Sequence, residues 1–352
     1  MFFDNEPDDH LKDSLDTTTD AQQNRPVILM SGMRPTGRLH LGHYVGVIAN
    51  WLKLQTQHPS YFMIADWHAL TTQYASPQKL NEHTLGLAID WLAAGIDPET
   101  ATLYVQSWVP EILEINALLS MATPVKWLET DPTLKDMVAL TKEDLNLGLL
   151  GYPVLQTADI LSVGGTHVPV GKDQLAHLEV SRDIARRMNH LYGAPLFAEP
   201  KPMLTETPLL MGLDGRKMGK SLNNGIYLSD TQDEVLQKIK REAITDTQRV
   251  KRNDPGTPSN CPGVFPYYQI FAPQLVTTVD AECRSAARGC MDCKKQLTEH
   301  INALLAPMHQ KRAEYEADKG QVIALLKAGS QKAREQAQAV LGRVKAAMNW
   351  RF

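Results

Sequence analysis

An α/β fold is predicted for this 352-residue chain: a doubly wound parallel sheet followed by a helical C-terminal region. Three observations carry that expectation. Strand-length apolar runs alternate with helical periodicity through the first half of the chain. The first such run passes through a Pro/Gly turn straight into an amphipathic helix. Beyond about residue 230 the periodicity is mostly helical.

The elements follow in order. Residues 1–25, MFFDNEPDDHLKDSLDTTTDAQQNR, hold seven Asp/Glu against one Lys and one Arg, so residues 1–26 are expected to form a disordered acidic leader. This stretch lacks the basic-then-apolar order of a signal peptide. No stretch approaches the roughly 18 apolar residues of a membrane helix. No membrane association and a cytoplasmic location, where thiols stay reduced, are therefore expected. VILMSGM (27–33) reads as the first strand and RPTG as its turn. Leu41, Val45, Ile48, Leu52 and Gln55 then step by four, three, four and three, the period of a helix. YFMIAD (61–66) is the second strand, 77–95 a helix, and ATLYVQ (101–106) the third strand, ended by Pro110. THVPVGKDQ (166–174) reads as a strand running into a helix over 173–193. The one interruption of the later helical region is NDPGTPSNCPG, 253–263.

Composition leaves the function class open. The net charge of −4 is not that of a nucleic-acid binder taken whole. Residues 281–352, however, hold thirteen Lys/Arg against seven Asp/Glu, a surplus that suits either a phosphate backbone or a solvated helical surface.

The phosphate chemistry is more specific. RPTGRLHLGHYVG (34–46) leaves the first strand at its carboxyl end, where open α/β sheets bind ligands, and opens a helix whose first N–H groups favour anions. Gly42 lets a flat adenine or ribose approach the backbone. His40 and His43, three apart, share one helix face and can donate to phosphate oxygens, or can simply cap the helix. GLDGRKMGKSLNNG (212–225) carries Lys217, Lys220 and Ser221. It is not a Walker A loop, since Gly215 and Gly219 enclose three residues where four are needed, and no strand precedes them. What remains is a lysine loop able to close over a polyphosphate.

HLGH after a first strand, with KMGKS far downstream, resembles the HIGH and KMSKS signatures of class I aminoacyl-tRNA synthetases. SGMRPTGRLHLGHYVG, ADWHALTT (65–72), QSWVPE (106–111), YPVLQTADIL (152–161), VPVGKDQLAHLEVSRD (168–183) and DGRKMGKS together are similar to the tryptophanyl-tRNA synthetases, from about residue 27 to the end. The resemblance implies activation of L-tryptophan with ATP and Mg²⁺ to tryptophanyl-AMP and pyrophosphate, then transfer to tRNA(Trp). It implies a homodimer. It implies a Rossmann-like catalytic domain over 27–212, a KMSKS-type loop over 213–229, and a helical anticodon-binding domain over 230–352. ATP would be held by Arg34, Pro35, Thr36, Gly42, His43, Gly171, Lys172, Asp173, Leu210, Lys217, Met218, Gly219, Lys220 and Ser221. His40, His43, Lys217 and Lys220 would stabilise charge during the reaction. Tryptophan would meet Asp159, Tyr152, Gln156 and Gln174, with Asp159 accepting the donor-only indole N–H.

Three positions depart from the family wording. Arg34 stands where Gln is frequent, Gln156 where the indole wall often has Met, and Gly219 where KMSKS has Ser. Rival readings are a nucleotidyltransferase without tRNA, a silent tRNA-binding paralogue and a tyrosine-specific relative. Intact His40, His43 and Lys220 oppose the second, and Asp159 in its YPVLQTAD setting opposes the third.

All four cysteines form one pattern, C-x21-C-x6-C-x2-C, over Cys261, Cys283, Cys290 and Cys293. Four thiolates suit Zn²⁺ or an iron–sulfur cluster. The resemblance, through CPGVFPYYQIF and GCMDCKKQL, implies the subset of bacterial tryptophanyl-tRNA synthetases that binds a 4Fe–4S cluster there.

Overall fold

The computed structural model describes residues 25–130, 145–171, 175–204, 210–219 and 222–350. The expected acidic leader falls almost wholly outside them, as do Lys172, Asp173, Gln174, Lys220 and Ser221. Five strands, β1 (Leu29–Met33), β2 (Ser60–Ile64), β3 (Ala101–Val105), β4 (His167–Val170) and β5 (Lys201–Leu204), form one sheet in the order β3-β2-β1-β4-β5. The β2–β3, β1–β4 and β4–β5 ladders are parallel, with Ser60 opposite Ala101, Leu29 opposite His167 and His167 opposite Lys201. The chain winds outward from β1 in one direction and then in the other, which is the doubly wound arrangement expected. The strands read from the sequence contain β1, β3 and β4 whole and β2 from Tyr61 onward. β5, KPML, has no counterpart in that reading. Its largely exposed residues and Pro202 give no apolar alternation, and an edge strand tolerates proline because one side carries no ladder.

The chain divides into two compact units, residues 1–31, 106–204 and 331–352 in the first and residues 32–105 and 205–330 in the second. Strand β1 crosses the boundary.

In the second unit, β1 leads through residues 34–40 into α1 (Leu41–His43), a π-helical turn (Tyr44–Ile48) and α2 (Ala49–Leu54). The buried residues along this stretch are Leu41, Val45, Ile48, Trp51, Leu54 and Gln55. The stepping expected from the sequence holds at Leu41, Val45, Ile48 and Gln55; Leu52 is half-buried against the same core, and Trp51 beside it is fully buried. Trp51 stacks on Phe62 at 4.3 Å and meets Trp91 edge-on at 5.1 Å. Trp91 belongs to α4 (Leu80–Ala94), which follows α3 (Asp66–Gln73) and ends where Gly95 takes φ +106.

The first unit contributes α5 (Glu111–Ala122), α6 (Tyr152–Ser162) and α7 (Leu175–Leu191). Helix α6 packs on both α5 and α7, and its residues from Thr157 to Ser162 are all buried. Such a helix is inner by composition, so the polar groups on it need partners.

The second unit also holds α8 (Gln232–Glu242), α9 (Phe265–Phe271), α10 (Val276–Arg284) and the 28-residue α11 (Cys290–Ala317). Thr231 and Glu234 close a capping box at the start of α8. Helix α11 packs on α4 and α8. The last helix, α12 (Lys319–Ala347), starts in the second unit, where Val105 N–H donates to Ser330 Oγ at 3.2 Å.

Gly329 makes that approach possible, since a Cβ there would lie 1.9 Å from the Leu103 carbonyl oxygen. Gly329→Ala should lower stability by about 3 kcal/mol through overpacking against backbone. Gly342→Ala, on the same helix with nothing within 4 Å of the added Cβ, should raise it by about 0.5–1 kcal/mol. Denaturant midpoints of the two variants check the pair of signs.

Candidate active site and cysteine site

The HLGH turn is held by its own histidines. His40 is the N-cap of α1, in extended conformation, and its Nδ1 accepts the His43 N–H at 3.3 Å. In return His43 Nδ1 accepts the His40 N–H at 3.2 Å. The two rings stack with centroids 3.7 Å apart. A capping box is ordinarily built from hydroxyl and carboxylate groups; here two imidazoles build it. Because both Nδ1 atoms accept, the proton of each neutral ring sits on Nε2. Capping and phosphate donation, alternatives in the sequence, are therefore compatible, one for each ring nitrogen.

The turn is laced to the stretch that follows KMGKS. Leu41 N–H donates to Ile226 O and Leu228 N–H to Leu39 O, both at 2.8 Å, and His40 forms an antiparallel bridge with Tyr227. Met218 lies against Gly42, where a Cβ would be 3.3 Å from Sδ and 3.0 Å from His40 Nδ1. Gly42 thus serves close packing within the protein as well as any approach by a nucleotide.

The lysine loop has a clamp that sequence reasoning missed. Asn224, 4% exposed, donates to Asp214 Oδ1 at 2.8 Å and Lys217 O at 3.2 Å, and its Oδ1 accepts the Gly219 N–H at 3.0 Å. Its packing explains Gly212, where a Cβ would lie 2.3 Å from Asn224 Nδ2. The clamp leaves Lys217 exposed on a fixed hairpin, with an antiparallel bridge between Met211 and Lys217. Asn in a short turn supplying both donor and acceptor was the available signal, through the NNG that follows KMGKS. Arg34 is exposed, with Nη1 3.5 Å from Thr72 Oγ1, Pro35 and Leu210 are buried, and Thr36 is half-buried.

The amino-acid set lies in the first unit. Asp159, 1% exposed on α6, accepts from Gln106 Nε2 at 2.8 Å, and Gln106 is fully buried. A carboxylate has about four lone-pair sites, so this bond and an indole N–H are compatible. Gln106, just past the carboxyl end of β3, was missed as a site residue; strand-end position was the signal. Thr157 bonds Ser181 at 2.9 Å, and Tyr152 lies 5.8 Å from the His177 ring. His177 was missed as well, being one polar residue on the buried face of α7. The buried Gln156 Oε1 has no hydrogen-bond partner among the described residues. Gly171 is exposed at the end of β4.

The four cysteines come together in the second unit. Cys283 ends α10, Cys290 and Cys293 occupy the first turn of α11, Cys261 follows a 3-10 turn, and all four line one cavity. Among the described residues no three His, Cys, Asp or Glu side chains converge closely enough to hold a metal ion. Arg249 Nη1 donates to Cys283 Sγ at 4.0 Å, and Arg288 lines the same cavity. Burial pushes the Cys261 and Cys293 thiols up to about 11 and also raises Cys283.

Comparison with known proteins adds the following. The family of tRNA synthetases class I (W and Y) matches residues 22–306. The tryptophan–tRNA ligase of Thermotoga maritima is 45% identical, over 92% of this chain and 99% of its own. That of Aquifex aeolicus is 40% identical, over 91% and 99%. The tryptophanyl-tRNA synthetase of Campylobacter jejuni complexed with ADP and tryptophan superposes with a TM-score of 0.84 at 31% identity, over 92% of this chain and all of that one.

Asp159→Asn should keep the Gln106 bond in shape while losing the acceptor-only carboxylate. The expected result in isothermal titration is a loss of L-tryptophan affinity of at least about 30-fold, the cost of a charged acceptor to a buried donor, with ATP affinity unchanged.

Proposed function

The chain belongs to the class I tRNA synthetases of the W and Y family, and from that premise we propose that it is a tryptophan–tRNA ligase. The observation that carries the reading is the match to tryptophan–tRNA ligases along more than nine-tenths of the chain. The buried Asp159 supplies its physical reason, a fixed carboxylate for a ring N–H. The same end-to-end match disfavours a nucleotidyltransferase that does without tRNA.

The tryptophan carboxylate attacks the α-phosphorus of ATP. A new P–O bond forms as the bond to the bridging oxygen breaks, and pyrophosphate leaves with the electron pair. No protein nucleophile is required, so the chain's work is positioning and charge stabilisation. The Nε2–H groups of His40 and His43 donate to phosphate oxygens in this reading. Lys217, with Lys220, Ser221, Lys172 and Asp173, serves the nucleotide, while Gln174 and Tyr152 serve the amino-acid ammonium. Mg²⁺ carried by ATP supplies further charge neutralisation. In the second step the 3′-terminal ribose hydroxyl of tRNA(Trp) takes the acyl group and AMP leaves. The surplus of basic residues over 281–352 supports a tRNA partner there.

The four cysteines are assigned to a 4Fe–4S cluster. One zinc draws four sulfurs to about 2.3 Å from a single point. A cubane takes each thiolate at a different corner. All four thiols line one cavity, and the resemblance of the CPGVFPYYQIF and GCMDCKKQL segments to the cluster-binding subset favours the cluster. When bound, the cluster supplies a rigid cross-link. Cys261, Cys283, Cys290 and Cys293 would tie the 261 turn to α10 and α11, with Arg249 donating to one sulfur. Exposed Leu113, Met121, Val125 and Leu147 in the first unit support a second copy as partner. Among the described residues no helix is long and apolar enough to cross a membrane, and a cytoplasmic site of action is part of the proposal.

L-Tryptophan should support pyrophosphate exchange into ATP and aminoacylation of tRNA(Trp); exchange driven by tyrosine alone would overturn the assignment. Protein purified without oxygen should be brown and carry about four iron and four sulfide per chain. A colourless protein loaded with zinc would replace the cluster by a zinc site and leave the ligase reading intact.

A further inference from the structure

The HLGH turn has a support that its signature does not include. Its flanking backbone is fixed on one side by Ile226 and Leu228, as above. The Leu39 N–H, immediately before His40, points the other way and donates to Asp90 Oδ2 at 3.4 Å. Asp90 stands on α4, 5% exposed, and its other oxygen is ion-paired with Arg312 of α11. Arg312 is itself steadied by Glu316 at 2.9 Å, one turn further along. His309, three residues before Arg312 on the same helix, bonds Leu228 O at 2.9 Å. One face of α11 therefore holds both backbones that bracket the histidine pair.

We propose that Asp90 and Arg312 are positioning residues for the HLGH turn, setting the backbone from which His40 and His43 present their Nε2–H groups to ATP. The inference rests on the reading of HLGH as the ATP cradle. Two further observations support a role in placement over one in stability. Burial raises the Asp90 carboxyl from its ordinary value to about 6, outweighing the nearby Arg312 and Arg38. Ionisation at neutral pH then works against the folded state: a raised carboxyl favours folding only at low pH and loses that contribution as pH climbs through about 6. Buried pairs of this kind are often replaceable by apolar residues without loss of stability. The second observation is geometric. The Leu39 N–H is buried backbone and needs an acceptor, and Asp90 reaches it from a different helix while Arg312 fixes the angle of the carboxylate.

The test is pyrophosphate exchange in the full chain for Asp90→Asn, Arg312→Gln and Arg312→Lys, with L-tryptophan binding and thermal midpoint measured beside it. Asp90→Asn and Arg312→Gln should lower kcat about tenfold. The tryptophan KM and Kd should stay within about twofold. Arg312→Lys, which keeps the charge but not the fork, should recover to within about threefold of the parent. A folded Asp90→Asn or Arg312→Gln with kcat within twofold of the parent would overturn the proposal. So would a loss of kcat that merely follows a lower midpoint and weaker tryptophan binding. A parent chain without exchange activity would instead overturn the ligase reading, so the two failures are separable.

Discussion

Two backbone hydrogen bonds, Leu41 N–H to Ile226 O and Leu228 N–H to Leu39 O, join segments almost two hundred residues apart. They bring the histidine turn and the lysine hairpin into one local structure, on which the proposed nucleotide site depends. Backbone pairing of this kind is insensitive to side-chain identity, so it fixes position while leaving the side chains to the reaction. Around it the packing is close. Gly42 and Gly225 both lie against Met218, where an added Cβ would come within 3.3 Å and 2.9 Å of its side-chain atoms. Arg38 and Lys238 lie over the Tyr227 ring at about 4.5 Å and both reach the buried Asp230. These two cations are already partnered, so their positions are set within the protein itself.

Polar groups in the interior follow the same logic. Asp159 with Gln106, Thr157 with Ser181 and Asn224 with Asp214 are satisfied pairs within their own units. A satisfied buried pair is rigid, because breaking it strands two groups away from water. Gln156 differs, with a buried Oε1 lacking a partner among the described residues. An unsatisfied buried acceptor costs stability and gains it back when a donor reaches it.

Helix α11 connects three features that are far apart in sequence. It begins with Cys290 and Cys293, packs along α4 and α8, and carries His309 and Arg312 toward the histidine turn. At 1.5 Å per residue the distance from Cys293 to Arg312 is about 28 Å. That helix is buried at Leu297, Ile301 and Leu305 and carries Pro307 between the two ends. The cysteine cavity and the residues that hold the histidine turn thus share one helix.

Much of this was legible in the sequence. Four of the five strands, the helix opening at Leu41, the helical character after residue 230 and the gathering of four cysteines all follow from short-range pattern, since periodicity, turn chemistry and spacing are local properties. The HLGH and KMGKS words identified the chemistry for the same reason. What tertiary structure decided was partnership. Strand β5 is made by its ladder to β4, because KPML has no apolar alternation of its own. Trp51 lies off the stepping read from the sequence and is buried because Phe62 and Trp91 are there to receive it. Asn224, Gln106 and Asp90 are polar residues whose partners no local pattern names, and each gains its role from groups brought near by the fold. Local pattern determines what a segment can become; which buried N–H meets which oxygen is settled only when distant segments share the same space.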